Sequence, residues 1–319
     1  MKFLVPTGIG DSIWALHKIQ SVRDALDPGG SIDILLSCSD INDVQTRALD
    51  FLRRFQFVNS VDMRVISLHQ LPIYHPSGCW NYVDDGMYEV DGERYCVLVP
   101  NAALEHGTRL ESWLPKYEID WSIFDQFRMT SAERAFGRNL ESKIGKYAVF
   151  YLGPYHGNVI GSDGHNRNAL WRPSDWVELG RRIHRELGLS IVAVGAVYDY
   201  SYYTHLVRPE LNGDGSFWHS LIGETNIGQL FSVTAHSRFV ISYQSGVGIV
   251  STYLGTPTAI FWRAHGDSIC SGSYLSFSEA MASAWVPPGV FLAGTHLPLI
   301  YGRNGVDYIM DSVRSRGWA

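Results

Sequence analysis

The sequence predicts an α/β protein of two tandem Rossmann-like domains, each with a mostly parallel sheet. Three observations carry that prediction. Apolar runs of strand length alternate with amphipathic stretches of helix length along most of the chain. The alternation starts twice, at Phe3 and again at Tyr147. At 319 residues the chain exceeds one ordinary core, so two domains are expected.

In chain order, Phe3-Leu4-Val5 reads as a short buried strand and residues 6–10 as a turn. Residues 11–26 carry Ile13, Leu16, Ile19, Val22 and Leu26 at helical spacing, and Asp27-Pro28-Gly29-Gly30 stops that helix. Residues 32–36 form a second strand, so strand, helix and strand imply a parallel pair with a right-handed crossover. Residues 41–58 read as helical and 61–66 as a strand. Residues 69–120 are less regular and contain one further strand, 95–99. Residues 130–140 are a helix capped by Thr130 or Ser131. The first domain is expected over 1–142, with 143–146 as linker.

The second series opens with a strand at 147–152 and a long Gly/Asn/Asp/His-rich loop, 153–168. Residues 174–187 read as a helix with Ser174 as N-cap, 191–194 as a strand ending at Gly195, and 198–207 as helical. Residues 222–262 then supply helix, strand, small-residue turn, helix, Gly-Thr-Pro and strand. This second domain is expected over 147–300. The terminal segment, 301–319, contains a helix over 307–316.

Composition narrows the function. Apolar residues at 45% and charged residues at 18% describe a soluble globular chain. The balance of 26 basic against 32 acidic residues, a net −6, disfavours DNA as a dedicated partner, because such binding rests on phosphate neutralisation. Cys38, Cys79, Cys96 and Cys270 have no metal-like spacing and read as reduced thiols of a cytoplasmic protein. No secretory signal is visible, and no apolar run nears the roughly 20 residues of a bilayer span, so membrane contact would be peripheral. Ten Trp and 13% aromatics invite a sugar-stacking surface, but aromatic burial is the default.

The candidate site residues concentrate in turns. Gln244, Ser245, Gly246 and Gly248 follow a strand and open a helix, so backbone N–H groups at a helix N-terminus are available to phosphate. The alternative is a glycine turn that only permits close helix–strand packing. No Asp-x-Asp motif is present to hold a divalent ion, and no metal or cofactor is expected. Glu224, Thr225 and Asn226 open another helix; Thr225 or Asn226 is the expected cap, and Glu224 is a ribose-hydroxyl candidate. Trp171 is either packing or a wall of a ligand site, and Trp176 belongs to the helix face with Leu179 and Ile183. Arg172 is a candidate phosphate partner, since its planar fork suits phosphate oxygens. Gly153 and Gly195 end two strands. The loop after Gly153 holds His156, Asp163, His165 and Arg167 and is long enough to expect a function, though not a standard metal site.

In the first half, Gly8 and Gly10 make a Gly-x-Gly turn without the third glycine of a dinucleotide fingerprint, which argues against an NAD-dependent enzyme. Their use is close backbone approach to a ligand or a tight turn. Asp11 follows directly and is either a helix N-cap or a general base at the carboxyl edge of the sheet. Ser12 adjoins it. Asn101, Glu105, His106 and Arg109 form a polar cluster after a strand.

Three pieces of the chain resemble the family 9 glycosyltransferases, the ADP-heptose:lipopolysaccharide heptosyltransferase-like proteins. The first is Gly8-Ile9-Gly10-Asp11-Ser12 after strand one. The second is Trp171-Arg172-Pro173-Ser174-Asp175-Trp176-Val177-Glu178-Leu179, which is similar to the family's Lys-x-Trp-Pro-x-x-x-Trp/Phe-x-x-Leu. The third is residues 222–262, which are similar to the family's Gly-x-Thr-Ser-Leu-x-x-Leu, Asp-Ser/Thr-Gly-x-x-His and Gly-Thr-Pro series. The resemblance implies a GT-B-type fold with an interdomain cleft and an inverting, metal-independent glycosyl transfer from a nucleotide-sugar donor to a hydroxyl acceptor of glycan or lipopolysaccharide type. It assigns Asp11 as base and the second domain, with Gly153, Arg167, Trp171, Arg172, Gly195, Glu224, Thr225, Gln244, Ser245, Gly246 and Gly248, as the donor side. Gly8, Gly10, Ser12, Asn101, Glu105 and His106 fall on the acceptor side. The terminal helix is expected to pack back towards the first domain. The chain departs from the family where Gln244 replaces Asp, Ile249 replaces His and the Lys before the Trp-Pro pair is missing. These departures leave the sugar and nucleotide unassigned. They also keep two other readings in view: a glycosyltransferase acting on hydroxymethylated DNA bases, and a non-catalytic sugar- or nucleotide-binding protein.

Overall fold

The computed structural model describes residues 1–6, 8–38, 43–66, 87–97, 122–153, 171–243, 245–261, 290–293 and 303–318. These fall into two compact units, one up to Arg128 and one from Met129 onward. Both are α/β, with mostly parallel sheets.

In the first unit, β1 (Lys2–Pro6), β2 (Ile32–Cys38), β3 (Val58–Val65), β4 (Met87–Val90) and β5 (Glu93–Val97) form one sheet in the order β3-β2-β1-β5-β4. All neighbours are parallel except β4 and β5, a hairpin closed by Asp91 and Gly92 at φ 52 and 78, the left-handed pair that matches strand twist. Phe3, Leu4 and Val5 are fully buried, as a central parallel strand requires. Helix α1 (Ile9–Leu26) buries Ile13, Leu16, Ile19 and Val22 of the stripe expected from spacing, leaves its last member Leu26 exposed at the helix end, and also buries Ser12, His17 and Lys18. Helix α2 spans Asp43–Arg53, shorter than the predicted 41–58 because residues 54–57 turn into β3. Phe51 and Phe55 pack edge-to-face at 5.1 Å, and Phe124 and Phe127 join them. Backbone bonds from Gln56 to Gln126 and from Arg128 to Arg54 fix that return segment.

In the second unit, β6 (Tyr147–Tyr151), β7 (Ser190–Val194), β8 (Trp218–Ser220), β9 (Val240–Tyr243), β10 (Thr258–Phe261) and β11 (Val290–Ala293) form an all-parallel sheet in the order β11-β10-β9-β6-β7-β8. Val149 pairs with Val192 on one side and Val240 on the other, and β6 and β7 are buried along their whole length. The chain runs outward from β6 through β7 to β8, then returns to the other flank of β6 and runs outward again through β9, β10 and β11.

Helix α3 (Ser131–Ile144) belongs to this second unit, although residues 130–140 were expected to close the first domain. The reason is its packing. Gly137 lies so close to helix α5 (Ile227–His236) that a Cβ would stand 2.3 Å from the Ser232 carbonyl, and Gly137 N donates to Ser232 Oγ at 2.9 Å. Thr130 caps α3 in a reciprocal box with Glu133. Helix α4 (Pro173–Leu187) starts one residue before the predicted cap. Pro173 takes the first position, and the Asp175 carboxylate accepts from Arg172 N at 3.1 Å, so Arg172 rather than Ser174 is the N-cap residue. Trp176 and Phe150 pack at 5.4 Å, and Gly180 makes room for Trp218, whose ring would lie 2.5 Å from a Cβ there. Residues 197–210 begin as a 3-10 turn and widen into a π-helix over Tyr203–Val207. Pro209 explains the widening: it has no N–H to give the His205 carbonyl and its ring crowds that group. The terminal helix α7 (Arg303–Ser315; α6 is Gly246–Tyr253) buries Val306, Ile309, Met310 and Val313 and pairs with α4 through Arg182–Asp307 and Arg314–Glu186. The contacts seen for this helix are therefore within the second unit.

Candidate functional site

In an open parallel sheet, ligands gather at the carboxyl ends of strands where the chain reverses its direction of travel across the sheet. In the second unit that point lies between β6 and β9. Gly153 follows β6 there, and Ser245 follows β9 as the N-cap of α6.

The Ser245 turn is built from small polar side chains. Ser245 Oγ accepts from Gly248 N at 3.2 Å and lies 2.9 Å from Ser242 Oγ, which is itself fully buried on β9. Ser242 thus fixes the cap from beneath. The first backbone bond of α6 runs from Ile249 N to Ser245 O at 3.1 Å. The N–H groups of Gly246 and Val247 precede it, pointing out of the helix end where an anion is favoured. Gly248 has another purpose: a Cβ there would meet Ser242 Oγ at 3.1 Å and Ile260 Cδ1 at 3.4 Å, so it lets α6 lie close on the sheet. Of this predicted set, Ser245 and Gly246 form the turn, Gly248 packs behind it, and Gln244 lies outside the described residues.

Gly153 and Gly195 have a shared reason that spacing did not reveal. Both close on the buried carboxylate of Asp199, and Cβ atoms at the two glycines would stand 2.2 and 2.7 Å from its oxygens. Asp199 Oδ2 accepts from Ala196 N at 2.8 Å. Gly223 N donates to Gly195 O at 3.0 Å, which ties in the turn after β8. Beside it Glu224 is exposed and Thr225 is buried. Asn226, not Thr225, caps α5, exchanging bonds of 2.8 and 3.0 Å with Gln229. Trp171 is 2% exposed and packs on Trp176 at 5.3 Å, so it is core and not a wall. Arg172 is exposed at the start of α4. Arg167, His156, Asp163 and His165 lie outside the described residues.

In the first unit the reversal lies between β1 and β5. Gly8 is the N-cap of α1 at φ 148 and ψ 129, a conformation that L side chains rarely adopt, and it provides no side-chain cap. Ser12 N donates to Gly8 O at 2.8 Å. The helix begins at Ile9, so Gly10 and Asp11 sit in its first turn, and Asp11 is not the N-cap. Ser12 is fully buried, its hydroxyl without a hydrogen-bond partner among the described residues. Asn101, Glu105, His106 and Arg109 lie outside the described residues.

Burial sets the few perturbed groups nearby. It pushes the Tyr202 phenol well up, with the Asp175 carboxylate adding to the effect, and pushes the His219 imidazole down. Among the described residues no cluster of His, Cys, Asp and Glu could hold a metal, and no helix is long and apolar enough to cross a membrane.

Two residues were missed from sequence. Ser242 reads as an ordinary strand residue, and Asp199 as one more polar residue in a helical stretch. The available signal for Asp199 was a carboxylate four positions after a strand-ending glycine.

None of the family models matches this sequence, and neither does any of the curated proteins. Solved structures do match the fold. The chain is similar to ADP-heptose LPS heptosyltransferase II of E. coli at TM-score 0.61 and 16% identity, over 99% of this chain and 98% of that one. It is similar to a glycosyl transferase family 9 protein from Veillonella parvula at TM-score 0.53 and 12% identity, over 99% and 96%. It is also similar to E. coli heptosyltransferase WaaC with ADP at TM-score 0.51 and 12% identity, over 99% of both chains. These likenesses give the chain a GT-B-type fold along nearly its full length.

Proposed function

We propose that this chain is a glycosyltransferase that moves a sugar from a nucleotide-sugar donor to a hydroxyl acceptor. One observation carries the reading. A Ser-capped helix start lies at the switch point of the second sheet, in a fold matched end to end by heptosyltransferases, one of them solved with ADP. The donor diphosphate would meet the N–H groups of Gly246 and Val247. As the anomeric C–O bond breaks, its electron pair passes to the diphosphate oxygen. Preorganised N–H donors and the helix dipole stabilise that growing charge without a metal. The acceptor oxygen attacks from the opposite face, which inverts the anomeric carbon, and its proton passes to the Asp11 carboxylate. The first-turn position of Asp11 supports this role, because it removes the competing assignment as helix cap. We assign the acceptor as a glycan-type hydroxyl, since a net charge of −6 opposes duplex DNA, and the compartment as the cytoplasm.

The test is a thermal-shift panel of ADP-, GDP-, UDP- and CMP-linked sugars without added metal. A ligand bound only by the folded state raises Tm by mass action. At least one donor should do so, and the free nucleotide should be released on adding a glycan acceptor. Failure of the whole panel to shift Tm would remove the donor-site assignment.

A further inference from the structure

The segment 197–200, just past β7, inverts the usual burial pattern. Val197, Tyr198 and Tyr200 are 58%, 40% and 51% exposed, whereas Asp199 between them is 3% exposed. A buried carboxylate is costly unless it is hydrogen-bonded, and an exposed apolar side chain earns nothing from burial. A chain that needed only a turn here would point these residues the other way.

The carboxylate reaches across to neighbouring turns. One oxygen takes the Ala196 N–H at 2.8 Å, closing the turn after β7. The other faces Gly153 after β6, where a Cβ would stand 2.2 Å from Oδ1 and 2.7 Å from Cγ. Gly195 is also close, with a Cβ 2.7 Å from Oδ2. Gly195 O accepts from Gly223 N, and a Cβ at Gly223 would lie 3.3 Å from Val197 Cγ2, so the turn after β8 follows. Two turns on the carboxyl edge thus meet at one side chain and the third joins them through the backbone, and β6 is the strand beside β9 and its Ser245 turn.

We infer that Asp199 is a positioning residue for the nucleotide diphosphate: its carboxylate seats Gly153 and Gly195 and so sets the backbone floor beside the Ser245 turn. This rests on the donor-site reading above. Asp199 does not touch the ligand itself, being buried beneath that floor.

Two measurements test it. The first titrates ADP, GDP and UDP calorimetrically into wild type, Asp199→Ala and Asp199→Asn. Asp199→Ala should weaken the Kd of whichever nucleotide binds by roughly 10- to 100-fold, the scale of a displaced positioning group. Asp199→Asn keeps an oxygen for Ala196 N and should restore the Kd to within about threefold of wild type. Simple loss of folded protein lowers the fraction of sites and leaves Kd alone. A wild-type Kd in Asp199→Ala overturns the inference. The second is a thermal cycle. Gly153→Ala should lower Tm by driving its methyl into the carboxylate. In the Asp199→Ala background the same change should cost less, because the two closest atoms, both of the carboxylate, are gone and the next, the Tyr151 hydroxyl, stands at 2.8 Å. Additive Tm losses overturn the seat. If wild type binds no nucleotide, the donor-site reading fails together with the ligand half of this inference, and the cycle still decides the seat.

Discussion

The two sheets reverse direction at equivalent places, yet they furnish those places differently. In the second unit, side chains build the turn: Ser242 props Ser245, Ser245 caps α6, and Asp199 lies against Gly153 and Gly195, one and two strands away. In the first unit a glycine makes the turn: Gly8 at φ 148 swings the chain into α1 and, as the N-cap residue, brings no side-chain hydrogen bond. A turn held by hydrogen-bonded side chains is preorganised for a fixed anion. A turn made by one glycine lets the chain pass close to a ligand and puts a carboxylate, Asp11, in the first helical turn. The difference fits a division of labour between binding charge and moving a proton.

The largest expected effect separates those two roles. Asp11→Asn should lower kcat about 10²- to 10⁴-fold, the usual contribution of a general base, and leave nucleotide Kd unchanged. Single-turnover assays alongside calorimetry read both. Unchanged turnover would deny the first unit its catalytic part and favour a chain that only binds nucleotides or sugars.

Next comes the contrast between the two glycine turns. Gly8→Ala forces a side chain into a backbone conformation it rarely adopts, at a cost on the order of 1–3 kcal/mol. Gly248→Ala meets Ser242 Oγ at 3.1 Å, a contact relieved by a few tenths of an ångström, and it gains about 1 kcal/mol of helix propensity. Urea unfolding should therefore show a clear loss for the first and near neutrality for the second. Equal losses would break the comparison.

The cap itself is a smaller lever. Ser245→Ala removes the acceptor for Gly248 N and the partner of Ser242, which should cost about 1 kcal/mol of stability. If the diphosphate uses the same helix start, losing this preorganised cap should also weaken nucleotide binding, seen as a smaller ligand-induced Tm shift in the variant than in wild type. An identical shift would mean that nucleotide binds elsewhere.

How much of this was legible depended on burial. Residues 147–152 and 191–194 read as strands, within a residue of the observed Tyr147–Tyr151 and Ser190–Val194, because central parallel strands are apolar throughout. β4, half-exposed, and β8, three residues long, gave no period to read. α4 was misplaced at its start because Ser174 looks like a cap, whereas the bond from Arg172 N to the Asp175 carboxylate appears only in three dimensions. The Ser245 turn was visible as a small-residue turn between strand and helix. Its support was not, since Ser242 and Asp199 act through burial, and Asp199 lies among residues whose apolar side chains face outward. The helix start at Ile9 could not be read from Gly-x-Gly-Asp, which fits a cap at Asp11 equally well.

The smallest predicted effect lies at the opposite edge of the first sheet and sharpens the comparison by contrast. Asp33, near the start of β2, accepts from Ser60 Oγ at 2.5 Å and Asn59 Nδ2 at 2.8 Å on β3. The Ser60 bond, then the Asn59 bond, hold its carboxyl below the ordinary aspartate range. A carboxyl whose folded pKa is depressed adds stability above its unfolded pKa and loses it as pH falls through the folded one. Wild type should therefore lose this contribution in acid, below the ordinary aspartate pKa, whereas Asp33→Asn should already lack it at neutral pH. The group is largely solvent-screened, so the difference should stay under about 1 kcal/mol. Urea unfolding at pH 7 and pH 3 measures it: the gap between wild type and variant should narrow in acid. Nucleotide Kd should not change, because Asp33 sits at the amino end of the first sheet, while the proposed donor turn follows β9 in the second. A change in Kd would show that amino-edge polar bonds also shape the site, and the contrast between the two turns would no longer account for binding.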